Sequence, residues 1–96
     1  MKHVERLQRA ILDLHGLDAE YVESVPVTET FQGKTVWQGT VDVFRVRGHP
    51  QATRAYAWSY PDEAGEVHHV AVLGVPPINS AVDAVKAAVV AEGRKL

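Results

Sequence analysis

The sequence predicts an α+β fold of α-β-β-β-α order: a three-stranded antiparallel meander with both helices packed on one face. Three observations carry this. Val4, Leu7, Ile11 and Leu14 recur at helical spacing near the start. Tyr56, Trp58 and Tyr60 fall at every other position in a central block of apolar segments. A second helical pattern, rich in valine and alanine, follows Pro76-Pro77.

The first helix is expected over about residues 3–15, with Glu5, Arg6, Gln8, Arg9 and Asp13 on its polar side. Gly16 suits a left-handed C-terminal cap, after which Leu17 packs back on the last turn. The next stretch leaves two readings open. Tyr21, Val25, Val27 and Phe31 share a parity, which suggests an edge strand over about 21–28 and a sheet of four strands. Pro26 suits such an edge or a bulge. Strands are expected at about 35–47, 52–60 and 66–75. In the first of these Trp37, Val41 and Val43 alternate with polar residues, but Phe44 and Val46 are apolar on the other parity. A bulge near Val43-Phe44 accounts for the slip.

The turn from Pro61 to Gly65 has hairpin-loop composition. Closed by Pro61 and Glu66, it sets Trp58 opposite His69, Tyr56 opposite Ala71 and Tyr60 opposite Val67. Ala55 and Ala57 then share the other face with Val72 and Val70. The alanine face suits helices, and the aromatic face needs a cover of its own. The reverse assignment, with the aromatics in the helix-facing core, stays open. Asn79 or Ser80 caps a final helix over about 80–92, with Asp83 three residues after Ser80 in an approximate capping box. Gly93 is expected to end it, leaving Arg94-Lys95-Leu96 as a frayed tail.

At 96 residues the chain reads as one domain, 1–96, with 46 % hydrophobic and 23 % charged residues, a globular balance. Its net charge of −2 argues against a general polyanion binder. No cysteine is present, which excludes disulfides and thiolate chemistry and fits a reducing compartment. The start, Met1 to Arg6, reads as a charged helix rather than a signal peptide, and no apolar run nears the roughly 20 residues that span a bilayer. A cytoplasmic protein without membrane contact is the expectation.

Catalytic residues are not identifiable. Ser24, Ser59 and Ser80 lie in no nucleophile motif, and Asp42, Asp62, Glu63 and Glu66 make no recognisable acid–base pair. His68 and His69 are adjacent in a strand and point to opposite faces, so they cannot readily chelate one metal ion. A site there needs His49, or a carboxylate such as Asp62 or Glu66, to converge from a loop. The expectation is no metal and no cofactor. Two binding surfaces remain. Tyr56, Trp58 and His69, with Trp37 as the alternative anchor, are candidates for a contact centre in a homodimer or with another protein partner. If so, a charged residue at Trp58 yields folded monomers. Arg45, Arg47, His49 and Arg54 are candidates for binding phosphate, carboxylate or a polyanion such as structured RNA.

The element order, with Gly48-His49-Pro50 between the first two long strands, resembles the double-stranded-RNA-binding domain. That family carries a Gly-Pro-x-His loop at this place. The resemblance implies RNA contact through the loop, but the family's lysine cluster at the start of the last helix is missing from Pro77 to Asp83. In general character the chain also resembles small bacterial domains of unknown function. The reading that follows is a small non-catalytic interaction domain that self-associates through its sheet, with RNA or polyanion binding as the alternative.

Overall fold

The computed structural model describes residues 2–91, apart from the side chain of Phe31. The expected helix stop at Gly93 and the tail Arg94-Lys95-Leu96 lie outside the described residues. The order is α1 (Lys2–His15), β1 (Asp18–Phe31), β2 (Lys34–Arg47), β3 (Arg54–Pro61), β4 (Val67–Leu73) and α2 (Ala81–Ala91). The strands form one antiparallel sheet in the order β1-β2-β3-β4. The α+β class stands, and the 21–28 segment does add a strand, longer than its outline in the sequence.

The expectation that both helices share one face does not hold. Val4, Leu7 and Ile11 of α1 pack with Leu17, Phe44, Val46, Ala55 and Ala57. Ala81, Ala84, Val85 and Val89 of α2 pack with Val41, Val43, Tyr56 and Trp58. Neighbouring strand residues point to opposite faces, so the two helices lie on opposite sides of the sheet. Each sheet face thus has its own apolar cover. This explains why β2 is buried continuously from Val41 to Phe44: the strand is apolar on both sides, not slipped.

The register shift beside Val43-Phe44 lies on the neighbouring strand, and a second one falls on β2 between the Glu29–Trp37 and Thr30–Thr35 pairs. Tyr21 pairs with Phe44 and Glu23 with Val43, which leaves Val22 of β1 as the extra residue. The β3–β4 register is also one residue from the expected one: Tyr56 faces Val72, Trp58 faces Val70, and Tyr60 faces His68. Asp62 sets it. Its amide donates to the Glu66 carbonyl at 2.8 Å, and its Oδ1 accepts from the amides of Ala64 and Glu66, both at 2.9 Å. The closing strand pair is therefore Pro61–Val67 rather than Pro61–Glu66.

The α1 cap is as expected, with Gly16 at φ 69° donating to the Leu12 carbonyl at 2.8 Å, and Leu17 buried. Leu14 departs from its predicted role. It is 61 % exposed and shares a groove with Val67. His15 Nε2 lies 3.0 Å from the Ala71 carbonyl oxygen, bringing the end of α1 to β4. Among the described residues, no helix is long and apolar enough to cross a membrane.

Asp62 yields a pH prediction. The hydrogen bond from His68 to Oδ2, at 2.8 Å, is the main reason its carboxyl lies below the ordinary value, and the two turn amides lower it further. A carboxylate depressed in the folded state contributes stability above its unfolded value, and that contribution is lost as pH falls through the folded one. In a carbon-detected NMR titration, the Asp62 carboxyl should protonate at lower pH than an ordinary aspartate side chain. In H68A its midpoint should rise.

Candidate functional site

The register gathers three of the four predicted anion-binding residues. Arg45 and Arg54 are directly opposed across β2 and β3, and Arg47 lies two residues along from Arg45 on the same face. Arg45 alternates with Phe44 and Val46, which pack under α1, so the arginines leave the α2 side of the sheet. Like charges placed directly opposite cost the sheet stability unless a counter-charge meets them.

The counter-charges are unevenly shared. Arg45 pairs in register with Glu20 and Arg47 with Asp18, and Arg47 Nη2 lies 3.8 Å from Glu20 Oε2. Among the described residues, Arg54 has no carboxylate within ion-pair distance. Asp42, three residues before Arg45 on the same strand, points to the α1 side instead. It is buried there, accepts from Ser24 Oγ at 2.5 Å, and lies 3.8 Å from His3 Nε2. His49 stays out of the cluster's chemistry: its Nδ1 accepts from the amides of Gln51 and Ala52 at 3.0 and 2.8 Å, closing its own turn.

Arg54 lines a cleft of about 270 Å³ with Glu23, Tyr56, and the turn from Asn79 to Val82 that starts α2. Ser80 caps the start of α2, and Asp83 reaches back past it to Asn79, one residue beyond the partner an ideal capping box would use. Ser80 Oγ accepts from the Asp83 amide at 3.2 Å, and Asp83 Oδ2 accepts from the Asn79 amide at 3.1 Å. The Ala81 and Val82 amides precede the helical ladder and have no partner within it, and both residues line the cleft. The partial positive charge of the helix start adds to that of Arg54.

Tyr56 completes the cleft. It is 4 % exposed, with its ring in the α2 core, and its hydroxyl makes no hydrogen bond among the described residues. Burial pushes the phenol above its ordinary value; the Arg54 charge draws it back down and Asp83 raises it. The hydroxyl therefore stays protonated at neutral pH and is available as a donor. A buried ring, a free hydroxyl, an uncompensated guanidinium and two helix-start amides together can receive one small anionic group. Glu23 also lines the cleft and adds a negative charge to it.

The residues predicted as a contact centre have other positions. Trp58 is buried with Tyr56 beneath α2, and half-buried Trp37 meets it edge-on, with ring centroids 5.6 Å apart. His69 is exposed on the α1 side, its Nδ1 2.7 Å from Ser59 Oγ. The sequence leaves Tyr56 either on a contact surface or in the core, and offers Ser80 as a cap only. It did not bring either to Arg54, because that meeting requires α2 to return across the face opposite α1. No protein-family model, curated protein or solved structure matches this chain.

Proposed function

We propose that this chain is a non-catalytic interaction domain that binds one anionic group, a carboxylate or phosphate carried by its partner, in the cleft at the start of α2. The observation that supports this is Arg54: an arginine without a carboxylate partner, set against helix-start amides and the free Tyr56 hydroxyl. An extended polyanion such as RNA fits less well. Asp18 and Glu20 of β1 sit opposite Arg47 and Arg45, Glu23 lines the cleft with Arg54, and these acids would repel a chain of phosphates.

The test is an NMR titration with inorganic phosphate and, separately, acetate. Saturable shifts are expected at the Ala81 and Val82 amides. Hydrogen bonds to charged groups contribute about 1.5–3 kcal/mol, so R54A should bind at least about tenfold more weakly. Y56F should keep the fold and weaken binding less. Shifts absent from the α2 start, or unchanged in R54A, would sink the proposal. Duplex RNA is the contrasting probe, and binding that falls steeply with salt would favour the polyanion reading.

Self-association is a second reading, and one observation favours it. The outer side of α2 is also apolar: Val82 and Val90 are 40 % and 65 % exposed, and Val90 lines a groove with Ile78, Ala87, Asp83 and Lys86. A two-fold through this groove would bring Asp83 of one copy toward Lys86 of the other. Sedimentation equilibrium over a range of concentrations decides it.

A further inference from the structure

We infer that the tip of the β3–β4 hairpin is a binding site for a divalent transition-metal ion, formed by Asp62, Glu66 and His68. The adjacent histidines cannot form it, as strand alternation requires. His69 turns to the α1 side and is engaged with Ser59. His68 instead meets two carboxylates of the loop. One ligand atom from each of Asp62, Glu66 and His68 lies within 4.8 Å of the other two. Donors at about 2.0–2.2 Å from one ion lie no more than about 4.4 Å apart, so the three groups need only a small side-chain adjustment to share it.

Two of the three donors are already held in place. Asp62 is anchored through Oδ1 by the Ala64 and Glu66 amides, which leaves Oδ2 facing His68 Nε2 at 2.8 Å. The His68 ring is stacked on Tyr60, with centroids 5.4 Å apart and planes 27° from parallel. Such outer contacts fix ligand orientation and reduce the ordering that binding must otherwise impose. The Glu66 side chain is exposed and free to swing onto the ion. On binding, the ion takes the place of the hydrogen between Nε2 and Oδ2: a neutral imidazole then carries its single proton at Nδ1, and an imidazolium releases its Nε2 proton to solvent. One imidazole with two carboxylates favours zinc, cobalt, nickel or manganese over calcium, which prefers an all-oxygen shell. The exposed side of the turn leaves the remaining positions to water, or to a donor from a partner.

The experiment uses the full chain. Zinc chloride titrated by calorimetry should give one ion per chain. Manganese chloride should broaden NMR signals from Asp62, Glu66 and His68 ahead of those from His3 and Asp42. H68A, at an exposed position that leaves both cores intact, should lower zinc affinity by about tenfold or more, and E66Q should lower it less. An absence of heat with zinc, broadening centred elsewhere, or unchanged affinity in both variants would each overturn the site.

Discussion

Replacing Trp58 with glutamate should unfold the protein rather than release a folded monomer. Trp58 is 3 % exposed, with the sheet on one side and Val85 and Val89 of α2 in the same core. Truncating a buried aromatic of this size costs about 3–5 kcal/mol through lost transfer energy and the cavity left behind. Glutamate adds a carboxylate that must either be desolvated or take up a proton. Total stability of a domain this small is about 5–15 kcal/mol, so one substitution removes much of it. Far-UV circular dichroism and urea unfolding of W58E are the measurement. Loss of the cooperative transition is the expected result, whereas a folded, monomeric W58E would return Trp58 to an interface. W58F, which keeps an aromatic ring, should remain folded with a lower urea midpoint.

The same residue shows where sequence reading succeeds and where it stops. The helices are legible because their evidence is local: Val4, Leu7 and Ile11 by spacing, Gly16 by its cap, Ser80 and Asp83 by their box. The strands are legible as strands, but their faces are not. A strand covered on both sides, such as β2 from Val41 to Phe44, has the same apolar pattern as a half-covered strand with a slip. The alternation alone therefore points to a bulge at Val43-Phe44, whereas the shift there belongs to Val22 on β1. Register depends on a single loop residue. Once the amide and carboxylate of Asp62 close the turn, every β4 partner of Tyr56, Trp58 and Tyr60 moves by one position. Part of the anion cleft is local, because Arg45 and Arg47 must share a face at a spacing of two. Arg54 joins them only through register, and the Tyr56 hydroxyl only through the path of α2. A metal site at the hairpin tip was conceivable from composition, but the loop conformation decides which carboxylates reach His68.

The two-faced core leads to the other large expected effect. Phe44 is fully buried on the α1 side, with Tyr21 edge-on to it at 6.0 Å. F44A should cost about 3–5 kcal/mol, comparable to a truncation of Trp58 although the two lie in different cores. V85A, at a fully buried position in the α2 core, gives a smaller loss against which coupling can be measured. The side chains of Phe44 and Val85 belong to separate clusters divided by the sheet. Sites without shared partners add to within about 0.3–0.5 kcal/mol, so the double mutant should lose the sum of the single losses. Both cores nevertheless use the same strands, and neither side has a sheet of its own. Each single variant should therefore unfold in one cooperative step with an unchanged urea slope. Additive losses with single transitions would describe two packing layers joined by one shared sheet. A second transition in F44A, with the α2 side melting later, would mean that β1–β4 and α2 hold together without α1. That would overturn the assignment of both layers to one cooperative unit.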